Sequence, residues 1–458
     1  MLVKTFSLVG RPFAGGRPWR RAAAWLAFLG PFFFLTYGFA NWWTGRLPHV
    51  GSVVFGWERH IPFWAWTIVP YMSLDACYAA SLFLCATRAE LDTHARRLVA
   101  ASGLSVAGFL LFPLQFSFAR PATSGVSGAL FQLLAGFDKP YNQAPSLHIS
   151  LALLVWLVFA RHWRGVARWA AHGWFLLIAL SVFTTYQHHV IDGVAGAVVG
   201  VVCVYLLPDV SATAPAVPRL LTSARRRLAA RYWLGAAVCL GLAWALGGWA
   251  WLLLWPAEAL LLVGLAYAWS GAAVFQKHHG RLSWAARWLL APYLVGAWWS
   301  SRWLTRGTAP ASEVVPGIWL GRAPSRADWP RLPIGAVLDV TAEFSFGPTA
   351  QALPYRSVPL LDLVAPSAGE LARAVAALAE LVAATPRPVL VHCALGYSRS
   401  AVVVAAWLLR CGAATTPDEA LRRVRSAQPR AVLQPAHRAA LVAYYSAYIG
   451  KSQHLVAA

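Results

Sequence analysis

Charge is what this sequence has least of. Only 12% of its 458 residues are Asp, Glu, Lys or Arg, about half the share in an ordinary soluble protein, while 59% are apolar. That scarcity excludes a single soluble globule. Acidic residues are scarcest, 17 against 39 basic ones, which leaves a net charge of +22. Such a balance suggests nucleic acid in a soluble chain, but here the basic residues lie between apolar runs, not on a face interleaved with base-stacking aromatics, so no nucleic-acid partner is expected. Cysteine is limited to 6 residues, and Cys77, Cys85, Cys203 and Cys239 sit in apolar segments, which excludes a disulfide framework. Ligand spacings of the EF-hand or zinc type are missing, so neither a metal nor another cofactor is expected.

What the chain has in quantity is 25 Trp and 22 Phe spread through long apolar runs, which makes a bilayer the solvent for much of it. A spanning helix needs about 20 mostly apolar residues. That length selects 22–42, 62–86, 98–118, 146–160, 168–186, 190–207, 233–254 and 257–276. Cytoplasmic loops carry the Lys/Arg excess. With the N-terminus inside, the inner segments hold 18 basic residues and the outer ones only Arg46, Arg59, Arg120 and Lys139. The expected fold is therefore a multi-pass α-helical membrane domain, with a six-helix core over 22–210 and two further helices over 233–276. A basic cytoplasmic tail (1–21) precedes the core and a basic cytoplasmic linker (211–232) follows it. Within 277–309, Arg287, Pro292 and Arg302 leave a 14-residue uncharged run, read as an interfacial amphipathic helix and linker in preference to a ninth span.

From residue 310 to about 450 the composition turns soluble. Short β-type runs at 318–322, 336–341, 355–360 and 388–392 alternate with helical patterns at 370–384, 400–411, 417–428 and 436–448, the signature of an α/β domain. Thr416, Pro417 and Glu419 predict a capped start for the third of these helices.

Two clusters carry chemistry. The first lies at the outer ends of the membrane helices, where His148 opens the fourth span and His188 and Asp192 stand one helical turn apart before the sixth. Arg120 and Lys139 join them at the same depth, and His189 is an alternative to His188. Ionisable groups are costly there, and two imidazoles, a carboxylate and two cations suit phosphoryl transfer: one His attacks phosphorus, the other protonates the leaving alkoxide, the carboxylate orients the nucleophile and the cations balance charge. Asp75 in the second span is either a structural partner or a further member.

Residues 60–210 resemble the type 2 phosphatidic acid phosphatase superfamily, whose motifs are K-x6-RP, PSGH and SR-x5-H-x3-D. Pro145 to His148 fits the second with Leu147 for Gly, and His188 to Asp192 fits the end of the third. The resemblance implies His188 as nucleophile, His148 as general acid, Asp192 as orienting carboxylate, and Arg120 and Ser146 as phosphate contacts. Pro113 replaces the Lys of the first motif and Ser181-Val182 the SR pair, and PSLH with a weak first motif looks more like the inositolphosphotransferase branch. Such enzymes pass the phosphoryl head group to an alcohol.

The second cluster is PVLVHCALGYSRS, residues 388–400. A buried strand ends at Cys393, a five-residue turn leads to Arg399, and a helix begins. Backbone N–H groups converging on a helix N-terminus hold a phosphate dianion and favour a thiolate. Arg399 supplies a two-pronged fork for phosphate oxygens, Ser400 can hydrogen-bond the departing thiolate, and Gly396 suits a positive-φ turn. Cys411 reads as structural. H-C-x5-R resembles the Cys-dependent protein tyrosine phosphatases, and 310–450 resembles their dual-specificity group, which implies Asp362, 31 residues before Cys393, as general acid. The turn residues Ala394, Leu395 and Tyr397 are uncharged and give no sign of phosphoinositide selectivity.

Over nearly its full length the chain looks like the fusions of these two domains found among bacterial inner-membrane proteins. The expected function is a bifunctional membrane phosphatase of phospholipid metabolism, acting on a phosphorylated lipid at the outer site and on a phosphorylated head group or phosphoprotein at the cytoplasmic one. A head-group phosphotransferase with an attached Cys phosphatase, and a non-catalytic scaffold or lipid transporter, are the alternatives.

Overall fold

The computed structural model describes residues 16–209, 222–346 and 353–450. Most of the basic tail and the first half of the linker lie outside the described residues. The chain divides into two units, Met1–Ser211 and Ala212–Ala458.

The first unit is helical: α1 (Trp19–Thr44), α2 (Ile68–Leu84), α3 (Arg88–Leu111), α4 (Gly125–Ala135), α5 (Leu147–His162), α6 (Gly165–Thr184) and α7 (Val190–Leu206). The eleven residues of α4 were not anticipated, because a segment that short carries no span signal. Outward faces are apolar, with Leu35 72% and Phe34 61% exposed, as lipid-facing helices require. Inward faces rely on small residues. A Cβ at Gly196 of α7 would lie 2.3 Å from the Ser146 carbonyl oxygen, and one at Gly108 of α3 would lie 2.3 Å from Pro145 Cδ, so these helices meet backbone to backbone. At the end of the bundle remote from the histidines, Arg161 bridges Glu90 (3.0 Å) and Asp209 (2.5 Å), while Arg97 donates to the Leu207 carbonyl (2.6 Å). These bonds tie α3, α5 and the end of α7 together where the sequence places the basic loops.

In the second unit, α8 (Ser223–Leu246) packs on α9 (Leu254–Leu265), which a π-helical turn (Ala266–Ser270) and a 3-10 turn (Gly271–Phe275) prolong. The helix begins at Thr222, whose hydroxyl accepts from Arg225 N, so residues 223–232 of the expected linker are helical. A hairpin, β1 (Lys277–His278) and β2 (Arg281–Leu282), comes first, and the interfacial helix expected beyond it is two helices, α10 (Trp284–Leu289) and α11 (Ala291–Leu304). Pro292 explains the break, since its ring fits only the first turn of a helix. Among the described residues, five stretches are long and apolar enough to cross a membrane: Trp19–Thr44, Ala65–Leu84, Gly165–Thr184, Ser223–Leu246 and Gly248–Phe275. Of the remaining candidates, α5 and α7 have 16 and 17 residues, and α3 carries Arg88, Glu90, Asp92, Arg96 and Arg97 in its first turns.

The rest of this unit is an α/β domain. Its sheet runs in the order β3 (Ala311–Val315), β4 (Ile318–Arg322), β7 (Val389–Cys393), β5 (Ala336–Thr341), β6 (Tyr355–Leu360). Only β3 is antiparallel to its neighbour. Central β5 and β7 are buried at every residue, as a parallel sheet covered on both faces demands. The covering helices are α12 (Ala368–Ala384), α13 (Arg399–Arg410), α14 (Pro417–Ala427) and α15 (Pro435–Tyr448). Ser367 and Glu370 cap α12 reciprocally, and Thr416 accepts from Glu419 N at the start of α14. The carboxyl ends of β4, β5, β6 and β7 form one edge, and the functional residues of this domain gather there.

Candidate active sites

In the membrane unit the two sequence motifs are joined through the backbone. Ser146 N donates to the Asp192 carbonyl at 2.9 Å, which brings the N-termini of α5 and α7 together. His148 and His188 line one cavity with Tyr37, Tyr71, Asp75 and Asp138. The His148 ring lies flat on Tyr71, centroids 4.0 Å apart. Its Nε2 and His188 Nδ1 are buried and have no hydrogen-bond partner among the described residues. Asp192 Oδ2 stands 3.8 Å from His188 Nδ1, in ion-pair range but beyond hydrogen-bond length, and it accepts from His189 N at 2.8 Å.

The adjacent histidines differ in their partners. His189 Nδ1 faces Glu58 Oε2 at 3.0 Å, its Nε2 faces the Ser117 hydroxyl at 3.0 Å, and its ring stacks on Phe116. Both nitrogens are engaged, so His189 holds the loop and His188 alone turns to the cavity. Arg120 and Lys139 are exposed and do not line that cavity; the Arg120 guanidinium rests 4.8 Å from the Phe131 ring centroid. The Ser146 hydroxyl caps α5, accepting from Ile149 N at 3.4 Å. Sequence reasoning missed Asp138, which accepts from Tyr37 Oη at 2.6 Å beside His188. Its signal was a carboxylate in the loop that leads into the PSLH segment.

Gly196 supplies a direct test of this packing. A side chain there collides with the Ser146 carbonyl, on the turn that carries His148. Gly196→Val is expected to cost about 1–3 kcal/mol of stability by overpacking and to abolish activity at His188, read by thermal unfolding and phosphate release.

In the α/β unit, β7 delivers Cys393 to the end of the sheet opposite Arg322 of β4. Its Sγ accepts from Gly396 N at 3.2 Å and from the Ser400 hydroxyl at 3.2 Å. Gly396 has φ +80°, and a Cβ on it would lie 2.6 Å from the Gly321 carbonyl carbon, so conformation and space both require glycine. Arg399 opens α13 and is fully buried; it donates to both Glu343 carboxylate oxygens (2.8 and 2.7 Å) and to the Leu360 carbonyl (3.1 Å). Its Nε lies 3.2 Å from Asp362 Oδ1 without hydrogen-bond alignment. Asp362 therefore sits at the mouth of the cradle, with its side chain 34% exposed. Cys411 is exposed and remote from the site, with Sγ against the Leu408 carbonyl.

The supporting shell was less legible. Burial works against the Glu343 carboxylate, but the Arg399 charge and hydrogen bonds outweigh it and hold the group below the usual carboxylate range. Gln434 N donates to His437 Nδ1 (3.2 Å), so neutral His437 carries its proton on Nε2 and donates to the Ser398 hydroxyl (2.8 Å), fixing the turn. Lys277, fully buried, donates to Asp339 Oδ2 (2.7 Å) and to the Thr341 carbonyl (2.7 Å). Burial opposes the Asp339 charge too, yet the Lys277 ammonium holds that carboxyl down to about 2.

Comparison with known families finds two phosphatase domains in the chain. The PAP2 superfamily model matches residues 65–206, and the model for the dual specificity phosphatase catalytic domain matches 318–447. Among solved structures, the chain is similar to Tk-PTP in its active form (23% identity, 30% of this chain and 97% of that one, TM-score 0.28). It is also similar to human DUSP28 (29% identity, 30% of this chain and 94% of that one, TM-score 0.27). No curated protein matches. One polypeptide thus joins a PAP2-superfamily domain to a dual-specificity phosphatase catalytic domain, and it is a phosphoric monoester hydrolase.

Proposed function

We propose that the protein is a bifunctional membrane phosphatase of phospholipid metabolism with two separate covalent centres. At the first, His188 attacks the phosphorus of a lipid phosphomonoester, the P–O bond to the lipid breaks, and His148 gives the leaving alkoxide its proton. Water then attacks the phosphohistidine, His148 takes the water's proton, and inorganic phosphate leaves. At the second, the Cys393 thiolate attacks, Asp362 protonates the leaving alkoxide, and water hydrolyses the thiophosphate with Asp362 as base. Arg399 and the backbone N–H groups of the turn hold the equatorial oxygens. The observation that carries the reading is that each nucleophile lies beside its own acid in its own unit: His188 with His148 on one cavity, and Cys393 in the cradle whose Arg399 meets Asp362.

The positive-inside count supports an outward-facing first site and a cytosolic Cys domain in the inner membrane. The 14 residues of α11 span only about 21 Å, too few for a ninth crossing, which favours the same arrangement. A head-group transfer reading gains from Leu147 in the second motif and from the Asp138–Tyr37 pair beside His188, a place for an acceptor hydroxyl. The test is phosphate release from short-chain phosphatidate by the Cys393→Ser protein, with and without glycerol. Phosphatase chemistry predicts stoichiometric inorganic phosphate in both cases. Transfer predicts glycerol phosphate at its expense, and no turnover at all leaves the scaffold reading.

A further inference from the structure

The four strand ends that hold the Cys393 cradle are fastened to the segment that enters and leaves the membrane. Tyr267 Oη donates to the Asp362 carbonyl at 3.0 Å. Lys277 is buried between Asp339 and Thr341 at the end of β5, and Phe346 N donates to the Gly280 carbonyl at 2.6 Å, just beyond Glu343. Arg302 of α11 donates to the Ala323 carbonyl at 2.7 Å, and Ala323 N in turn donates to the Ala394 carbonyl inside the cradle turn. Every one of these bonds lands on the functional edge of the sheet.

Tyr267 belongs to the stretch Gly248–Phe275, long and apolar enough to cross a bilayer, so the general acid lies one hydrogen bond from a membrane helix. Arg225 donates to the Tyr267 and Ala266 carbonyls (2.9 and 3.2 Å), and Tyr232 stacks on the Tyr267 ring, which makes that contact rigid. Around it the surface has the composition of a bilayer interface. Trp288, Trp298, Trp299 and Trp303 are each more than half exposed, and Leu363, 61% exposed, follows Asp362 directly. Exposed Trp side chains favour the head-group layer, and Arg306, exposed and resting 4.4 Å from the Trp303 ring centroid, favours an anionic surface.

We infer that the substrate of the Cys393 centre is a membrane-resident phospholipid whose head group ends in a phosphomonoester. The inference rests on Cys393 being a nucleophile, as proposed above. A lipid reaches the cradle without leaving its leaflet, its acyl chains lying along the apolar helices and its terminal phosphate rising to Arg399. The chains then supply remote binding energy that a soluble phosphate lacks. A phosphoprotein would have to bring its phosphorylated side chain to the side of the domain bound to the membrane segment.

The test uses the full chain with His188→Ala, reconstituted in mixed micelles. The substrates are a diacyl phospholipid carrying a glycerol phosphate head group with a terminal phosphomonoester, its deacylated water-soluble counterpart, a phosphotyrosine peptide and p-nitrophenyl phosphate. The account predicts a kcat/KM on the diacyl lipid at least about tenfold above that on the deacylated form and the peptide, with a rate that follows the lipid's surface mole fraction. Equal or better turnover of the soluble head group or of the peptide overturns the inference while Cys393-dependent p-nitrophenyl phosphate hydrolysis leaves the nucleophile in place. Loss of that hydrolysis in the parent protein overturns both.

Discussion

Cys393→Ser is expected to remove phosphatase activity at the second centre by at least about 10⁴-fold while leaving phosphate release at His188 unchanged, and His188→Ala is expected to do the reverse. The size of the effect follows from covalent chemistry. Serine keeps the backbone cradle, the Gly396 N–H and the Ser400 hydroxyl in place but offers an alcohol where a thiolate is required. At the other centre, alanine removes the only one of the two adjacent imidazoles that faces the cavity. His189 cannot substitute, because Glu58 and Ser117 occupy both of its nitrogens. Independence follows from the division of the chain, since each proposed nucleophile and its proposed acid lie within one unit. Phosphate release from short-chain phosphatidate and from p-nitrophenyl phosphate, measured on both variants, separates the two. Activity lost at both centres in either single variant would contradict the account.

Glu343→Ala is expected to be the most destabilising single change in the α/β unit. The carboxylate makes two hydrogen bonds to a fully buried guanidinium, and its removal leaves Arg399 with the partly exposed Asp362 and the Cys393 thiolate as countercharges. Breaking a buried pair by deleting one partner costs about 3–5 kcal/mol, a large share of a domain's stability. Freed from Glu343, Arg399 is drawn toward Asp362, so the p-nitrophenyl phosphate rate falls with stability. The pair also sets the acid limit. Because the folded-state pKa of Glu343 lies below its unfolded value, its contribution is fully present above the ordinary carboxylate range and disappears as pH falls through the lowered value. Chemical denaturation of the wild type against pH should therefore show an acid loss that Glu343→Gln reduces.

The candidate sites could be drawn from the sequence because the proposed chemistry fixes local spacing. Cys393, Arg399 and Ser400 must share one turn and one helix start, and His188 and Asp192 one helical turn, so sequence distance is spatial distance. The strands were equally plain, because burial on both faces turns VLVHC and AVLDVT into unbroken apolar runs. What stayed hidden depends on contacts between residues remote in sequence. Glu343 meets Arg399 across 56 residues, and Tyr267 meets Asp362 across 95, which no local pattern encodes. Glu343 did leave one trace, an acidic residue just past the carboxyl end of a buried parallel strand. Arg120 stands near enough to Tyr71 and Asp138 of the cavity to interact with their charges, although neither it nor Lys139 is among the cavity's lining residues. The interfacial segment was misdrawn as one helix because Trp content and charge report depth and not chain direction, whereas Pro292 marked the break.

Trapping with a ³²P-labelled lipid phosphomonoester tests the central claim most directly. Wild-type protein quenched during turnover should yield two phosphoryl adducts, an acid-labile one that disappears in His188→Ala and an acid-stable one that disappears in Cys393→Ser. A single adduct common to both variants, or label on neither residue while phosphate is still released, would contradict two covalent centres in one chain.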